Sequence, residues 1–195
     1  LNHPLVPDMK AALRAEARAR RAAAHAATPD AGQALVAAFA GTGVAVAGKV
    51  VAGYSAIGTE IDAGPLLDDC AVKGARLALP RTPPKGTDGA VTFHAWRRGD
   101  PVKSGPFTVP EPPEAAPELL PDVVLVPLVA FDPRGARLGY GKGHYDRALA
   151  ALPVRPLLIG LAYADQRFDI LPQEPHDIRL DWIVTPSGAY QAQET

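Results

Sequence analysis

The 195-residue chain has almost no cysteine, since Cys70 is the only one. A disulfide framework and a cysteine-rich zinc site both need several cysteines, so both are excluded. A single thiol fits a reducing compartment, and a cytoplasmic location is therefore predicted. Within the segment DDCAV, Cys70 is interpreted as a residue that fills a helix face rather than as a nucleophile.

The chain also lacks a surplus of charge, because its formal net charge at pH 7 is only −1. Bulk electrostatics therefore give no reason to expect binding to nucleic acid or to a membrane surface. Long apolar runs are missing too, and none approaches the roughly 18 residues of a membrane span. We expect a monomer that acts on small molecules, without a nucleic-acid or membrane partner.

Methionine is nearly absent as well, and the only one is Met9. Residues 9–190 are predicted to form a single domain. Because Met9 is the only methionine, residues 1–8 are expected to be an N-terminal extension or a remnant of cloning. They lack the basic and apolar regions of a signal peptide. Proline, in contrast, is abundant at 21 residues. Many of the prolines fall in 100–121, which is interpreted as an ordered loop.

Continuously apolar runs alternate with helix-forming stretches along the chain. Such runs are typical of strands buried on both faces, so the pattern predicts an α/β fold: a single domain with a mostly parallel central sheet flanked by helices. Strands are predicted at 50–57, 76–79, 91–96, 123–129, 156–163 and 182–185. Helices are predicted at 9–27, 31–40, 65–73 and 144–152.

The segment VVLVPLVAFDPRGARLGYGKGHYDRAL, which begins at Val123, contains the most informative pattern. A buried strand is followed by three alternating glycines (Gly139, Gly141 and Gly143) and then by a helix from His144. A strand, a glycine-rich loop and a helix start form an anion cradle. The segment does not match the P-loop pattern or the dinucleotide-binding pattern, because required glycine and hydroxyl positions are occupied by other residues.

The charge needed to hold a triphosphate must come from side chains. A helix terminus contributes only about 0.3–1 kcal/mol to binding of a surface anion. Lys142 and Arg137 would add positive charge, and a metal ion is expected beside the phosphates. Asp146, in the first turn of the helix, could hold Mg²⁺, or it could be an ordinary acidic residue at a helix N-terminus.

The first helix bears a basic stripe formed by Lys10, Arg14, Arg18 and Arg21, at spacings of four, four and three. One interpretation is a solvated face. The other is that Lys10 and Arg14, one turn apart, reach a shared anion. A second open question concerns His176 and Asp177, which could form a metal or proton-transfer pair or an ordinary loop-ordering hydrogen bond.

The glycine-rich segment VPLVAFDPRGARLGYGKGHYDRAL resembles the corresponding signature of the 5-formyltetrahydrofolate cyclo-ligases, also called 5,10-methenyltetrahydrofolate synthetases. Three further matches support the resemblance: MKAALR, GYSAIGTEID and EPHDIRLDWIVT. The resemblance implies ATP-driven, Mg²⁺-dependent ring closure of 5-formyltetrahydrofolate to 5,10-methenyltetrahydrofolate, with release of ADP and phosphate. We expect a phosphorylated formyl (imidate) intermediate. The resemblance also implies a cytoplasmic enzyme with a single α/β domain.

The resemblance also implies roles for individual residues. Lys142 and Arg137 would act in catalysis, and Asp146 and Asp181 would hold Mg²⁺. The residues that match the ATP site are Lys10, Arg14, Arg137, Gly139, Tyr140, Gly141, Lys142, Gly143, His144 and Tyr145. The residues that match the folate site are Tyr54, Glu60, Phe107 and Tyr145. His144 departs from the family, which often has tyrosine or phenylalanine there. The competing interpretation is a nucleotide- or phosphate-sensing α/β domain without turnover.

Overall fold

The computed structural model describes residues 6–84, 86–87, 89–106, 108–141 and 143–193. The helices are α1 (Val6–Ala27), α2 (Ala31–Ala40), α3 (Gly64–Val72) and α4 (His144–Ala151), with a 3₁₀ turn at Ala164–Gln166. The strands are β1 (Val50–Ala52), β2 (Arg76–Arg81), β3 (Thr92–Ala95), β4 (Lys103–Ser104), β5 (Pro110–Glu111), β6 (Val123–Pro127), β7 (Ala130–Phe131), β8 (Arg137–Leu138), β9 (Leu157–Leu161), β10 (Trp182–Thr185) and β11 (Gly188–Gln191).

Seven strands form the central sheet, in the order β11-β10-β9-β6-β1-β2-β3. The five inner strands run parallel, and β3 and β11 are added antiparallel at the two edges. This confirms the predicted α/β fold with a mostly parallel sheet. Two short antiparallel pairs, β4 with β5 and β7 with β8, lie outside it.

Helices cover both faces of the sheet, which explains why its inner strands β1, β6 and β9 are continuously apolar. On β6, Val123 and Leu125 belong to the core cluster that includes α2 and α3. Val124 and Val126 alternate with them and belong to the cluster that includes α4. Successive side chains of a strand point to opposite faces, so each apolar run supplies both cores.

Several element boundaries differ from the sequence-based predictions. Helix α1 begins at Val6 rather than at Met9, because Pro7 is tolerated in a first helical turn. Strand β2 continues through Pro80 to Arg81. Strand β1 ends at Ala52, which pairs with Ala78, so the ladder on that side needs no N–H from Pro80.

Among the described residues, none of the helices has both the length and the apolar character needed to cross a membrane.

The parallel strands direct their carboxyl ends to one edge of the sheet. Functional sites of open α/β sheets are typically built at that edge.

Candidate active site

A cavity of about 640 Å³ lies at the carboxyl ends of β1, β2 and β6. Its volume is within the range typical of small-molecule sites. Residues from α1, the segment after β1, the glycine-rich loop, the start of α4 and the loop before β10 meet in its wall. The charged and tyrosine residues in that wall are Lys10, Arg14, Tyr54, Glu60, Arg137, Tyr140, Tyr145, Asp146, Arg147, Glu174 and Asp177.

The glycine-rich loop follows the β7–β8 hairpin, and Asp132 fixes the turn of that hairpin. This carboxylate is fully buried and accepts hydrogen bonds from the backbone N–H groups of Arg134, Ala136 and Leu171. Gly135 completes the turn at φ +79°, and a Cβ there would collide with the backbone oxygen of Leu180. Asp132 is therefore a structural acid that positions the loop rather than a residue of the cavity.

Two of the loop glycines adopt backbone angles that other residues rarely adopt. Gly141 has φ +90°, and a Cβ there would lie 3.3 Å from Cζ of Arg14. Gly143 has φ +63° and is the N-cap of α4, without a side-chain capping bond. The N-terminal turn of α4 lines the cavity, as the anion-cradle interpretation predicted.

Two arginines reach this loop from different elements. The Nε of Arg14 in α1 donates to the backbone oxygen of Gly139 at 2.9 Å. The Nη2 of Arg137 in β8 donates to Oδ1 of Asp146 at 2.8 Å, and the Arg137 side chain is 6% exposed. Its Nε is buried and lacks an acceptor within the part of the chain that the structure describes. The Arg137 guanidinium thus retains donor capacity next to the cavity.

Lys10 is a buried cation held between two carboxylates. Its Nζ lies 2.6 Å from Oε2 of Glu174 and 2.6 Å from Oδ2 of Asp177. Burial lowers the pKa of Lys10, but these two hydrogen bonds and charges outweigh burial and raise it. Burial raises the pKa of Asp177, and the bonds from Lys10 and from the Glu174 N–H outweigh it and lower it. Lys10 and Asp177 are therefore both charged at neutral pH.

A second buried carboxylate, Glu60, lies at another part of the wall and is 6% exposed. Its Oε1 accepts a hydrogen bond from the Tyr140 hydroxyl at 2.8 Å, and its Oε2 accepts one from the Ile57 N–H at 2.9 Å. Burial raises the pKa of Glu60, although these bonds and the charge of Arg21 oppose the rise. Burial and the nearby Glu60 raise the pKa of Tyr140 to about 12.

The remaining predicted folate residues have different outcomes. Tyr54 and Tyr145 both line the cavity. The Tyr54 hydroxyl donates to the backbone oxygen of Ile61 at 2.8 Å, and burial followed by the charge of Glu60 raises its pKa well above the ordinary value. Burial and then Glu60 likewise raise the pKa of Tyr145. Phe107 and Lys142 lie outside the described residues, so their predicted roles stay predictions.

The structure does not bring Asp181 to the cavity, and this placement corrects the predicted magnesium pair. Asp181 precedes β10 and therefore lies at the amino-end edge of the sheet, away from the carboxyl ends that form the site. Its Oδ1 lies 2.9 Å from Nη1 of Arg155, and its Oδ2 accepts the Leu158 N–H at 2.7 Å. Asp146, in contrast, lines the cavity.

Sequence-based reasoning missed three charged residues that belong to this region. Glu174 was not singled out, and Asp177 was treated only as a partner of His176. The backbone N–H of Ile178 donates to Oδ1 of Asp146 at 3.2 Å, which places this loop beside the start of α4. Arg21 was included only in the basic stripe. The sequence did contain a signal that favours Asp177 over Asp181. Asp181 directly precedes the predicted strand at 182–185, whereas Asp177 lies earlier in the loop that leads to this strand.

The sequence of this chain matches a known family model. The model of the "5-formyltetrahydrofolate cyclo-ligase family" matches residues 6–186. The chain belongs to this family. The prediction that the chain is a member of this ligase family is thereby confirmed.

Curated relatives of this cyclo-ligase family member agree with the match. The 5-formyltetrahydrofolate cyclo-ligase of Mycolicibacterium smegmatis is 35% identical over 154 residues, which cover 74% of this chain and 77% of that protein. The 5-formyltetrahydrofolate cyclo-ligase of Escherichia coli is 32% identical over 151 residues, which cover 75% of this chain and 82% of that protein.

Solved structures show the same fold. The 5,10-methenyltetrahydrofolate synthetase of Aquifex aeolicus superposes with a TM-score of 0.73 at 27% identity, covering 96% of this chain and 94% of that one. The synthetase of Mycoplasma pneumoniae superposes with a TM-score of 0.69 at 25% identity, covering 91% of this chain and 98% of that one.

Proposed function

We propose that this chain uses ATP and Mg²⁺ to convert 5-formyltetrahydrofolate into 5,10-methenyltetrahydrofolate, ADP and phosphate. The observation that supports this most directly is that one cavity combines two different chemistries. A glycine loop with Arg14 and Arg137 suits phosphates, and a buried carboxylate, Glu60, suits a heterocycle with N–H donors.

The ATP end would be formed by the glycine loop, the start of α4 and the cations around them. Gly141 and Gly143 allow the phosphates to approach the backbone closely. Arg137 has a donor without an acceptor in the described structure, which fits an added phosphate oxygen. Lys10, Arg14 and, as predicted from the sequence, Lys142 would supply further positive charge.

The folate end would be organised by Glu60. A tetrahydropterin ring presents neighbouring N–H donors, and a carboxylate can accept two of them in charge-assisted hydrogen bonds. Each Glu60 oxygen already accepts one bond from the protein, which fixes the plane of the carboxylate. Tyr54 and Tyr145 would provide apolar ring surface on the wall beside it.

The donor set in the cavity wall fits Mg²⁺, because the wall contains carboxylates close to the proposed phosphate site. We propose that Asp146 and Asp177 would hold the ion, since the Asp146 carboxylate accepts the N–H that directly follows Asp177. When bound, Mg²⁺ would neutralise phosphate charge. Asp181 is not part of this proposal because it precedes β10, at the end of the sheet opposite the cavity, and does not line the cavity.

The proposed chemistry starts from a formamide, whose carbonyl carbon is a poor electrophile. The formyl oxygen forms a bond to the γ-phosphorus of ATP, and the bond from that phosphorus to the β,γ-bridging oxygen breaks, releasing ADP. N10 of the folate then attacks the activated formyl carbon. Phosphate leaves with the former formyl oxygen, and N10 loses its proton. Positioning and charge neutralisation provide most of the catalysis, so no nucleophilic side chain is required.

The test is a turnover assay that follows the absorbance of the methenyl product. Product should form from 5-formyltetrahydrofolate only when ATP and Mg²⁺ are both present, and one ADP should be released per product. Arg137→Met should lower kcat by on the order of 100-fold, because it removes a phosphate contact. Arg155→Met removes an arginine at the opposite sheet edge and should leave kcat within about two-fold.

Two outcomes would contradict the proposal. Folded protein that gives no ATP-dependent product is not a cyclo-ligase of this type. Binding of ATP without any turnover would instead support the sensing-domain alternative.

A further inference from the structure

Arg21 is a buried cation that has no part in the proposed chemistry. It belongs to the basic stripe of α1, yet the residue is only 5% exposed. Its Nε donates to Oγ1 of Thr59 at 3.1 Å, and its Nη1 donates to the hydroxyl of Tyr140 at 2.9 Å. Arg21 forms no direct ion pair with a carboxylate of the described chain.

The nearby negative charge that compensates Arg21 is reached through one hydroxyl group. Tyr140 accepts from Nη1 of Arg21 and donates its own proton to Oε1 of Glu60 at 2.8 Å. A hydroxyl has one donor and can accept, so the sequence cation–hydroxyl–carboxylate has only one consistent direction. Arg21, the Tyr140 hydroxyl and the Glu60 carboxylate thus form a hydrogen-bond relay. An isolated buried charge is costly, so both Arg21 and Glu60 depend on this relay.

The relay also connects two walls of the cavity to one helix. Arg14 and Arg21 are seven residues apart, which is about two turns of α1. Arg14 holds the backbone oxygen of Gly139, and Arg21 holds the side chain of the next residue, Tyr140. Arg21 also holds Thr59, which directly precedes Glu60. Helix α1 therefore positions the backbone of the glycine loop through Arg14, and it positions the Tyr140 hydroxyl and the Glu60 segment through Arg21.

We propose that Arg21 is a positioning residue for the folate: through the Tyr140 hydroxyl it keeps the Glu60 carboxylate negative and fixed in orientation toward the N–H donors of the pterin ring. This inference rests on the proposed function, in which Glu60 binds the folate.

The groups that face Glu60 define how its charge responds to pH. They come from four elements: Arg21 from α1, Tyr140 from the glycine loop, Tyr54 from the segment after β1 and Tyr145 from α4. Burial raises the pKa of Glu60, and Arg21 is the cation that opposes the rise. Removing Arg21 therefore raises the pKa further. The protonated carboxyl accepts hydrogen bonds poorly, so folate affinity should fall as pH is lowered. In a variant without Arg21, this fall should begin at a higher pH than in the wild type.

The experiment measures dissociation constants of 5-formyltetrahydrofolate and, separately, of ATP with Mg²⁺ by calorimetry at pH 8 and pH 6. Arg21→Met should weaken folate binding about ten-fold at pH 8 and further at pH 6, with ATP binding changed by less than about two-fold. Arg21→Lys should recover part of the loss. The matched control is Arg20→Met, which removes an exposed arginine of the same helix and should bind both ligands as the wild type does.

Several results would overturn this role. The role is refuted if Arg21→Met binds folate as tightly as the wild type at both pH values. It is also refuted if Arg21→Met loses folate affinity and ATP affinity to the same extent. If Arg21→Met does not fold, Tyr140→Phe cuts the same relay by removing only the hydroxyl and keeps Arg21 in place. Unchanged folate binding in Tyr140→Phe refutes the proposal. Wild-type protein that binds no folate would instead refute the proposed function, and the Arg21 role with it.

Discussion

Asp177 and Asp181 are four residues apart, yet they lie at opposite edges of the sheet. The chain crosses from the cavity edge to the start of β10 between them, so Asp177 lines the cavity and Asp181 does not. The sequence resemblance assigned Mg²⁺ to Asp146 and Asp181, and it considered Asp177 only together with His176. The strand direction decides between them, since functional residues lie at the carboxyl ends of parallel strands.

Asp177→Asn and Asp181→Asn together test this difference. Asp177→Asn should raise the Mg²⁺ concentration that gives half-maximal turnover at least about ten-fold, because a metal carboxylate is lost. Asp181→Asn should leave that concentration unchanged and lower the thermal midpoint, because Arg155 loses its ion-pair partner and one of the two accepting oxygens becomes an NH2 donor. A shift in the Mg²⁺ requirement for Asp181→Asn alone would restore the sequence-based assignment. A magnesium titration of turnover distinguishes the two outcomes.

Individual site residues were predictable from the sequence where they belong to one of the segments that resemble the family. The structure brings the predicted Lys10, Arg14, Glu60, Arg137 and Asp146 into one cavity wall. Arg21 was not predictable from its spacing, because a basic stripe looks the same whether a helix faces solvent or a neighbouring loop. Only the rotation of α1 against the rest of the fold buries that side chain.

At the scale of the elements, helix α2 illustrates how closely the layers pack. Its bounds, Ala31–Ala40, coincide with those predicted, because alanine favours helix and Leu35 and Phe39 recur on one face. The sequence did not reveal why a glycine, Gly32, lies in the first turn of this helix. A Cβ at Gly32 would lie 2.6 Å from the backbone oxygen of Asp62, so the glycine allows the segment before α3 to approach.

Gly32→Ala should therefore destabilise the protein, although alanine favours an isolated helix by about 1 kcal/mol. The clash is with backbone and cannot be relieved by a rotamer change, so we expect a net loss of about 1–3 kcal/mol in the free energy of unfolding. Urea denaturation measures it. The control Gln33→Ala, at an exposed position of the same helix, should stay within about 0.5 kcal/mol. Equal or greater stability of Gly32→Ala would show that the segment around Asp62 is free to shift.

At the scale of the whole molecule, the cavity collects residues from widely separated parts of the chain. Its wall includes Lys10 near one end of the described chain, Glu60 in the middle and Asp177 near the other end. The fold class was predictable from the apolar runs, but this convergence depends on strand order, which periodicity does not encode. The predicted monomeric state and cytoplasmic location stay predictions.

Ligand binding should stabilise such a molecule as a unit. With ATP and Mg²⁺ at about 100 times the dissociation constant, the folded state should gain about 2.7 kcal/mol, or roughly 5–10 °C in the thermal midpoint. Scanning calorimetry measures this rise. Chelation of Mg²⁺ with EDTA in the presence of ATP should abolish most of it. A rise that is unchanged by EDTA would contradict the proposed metal site.

The contacts of Lys10 determine when, during synthesis of the chain, the ATP end of the cavity can form. Its two carboxylate partners are 164 and 167 positions away along the chain. Contacts of such long range form late in folding. During synthesis, α1 leaves the ribosome long before either partner exists, and the Lys10 charge stays hydrated until then. A ribosome-bound chain that stops short of residue 174 should therefore lack the complete nucleotide end of the cavity, so competence to bind ATP arises only after residues 174 and 177 have been synthesised.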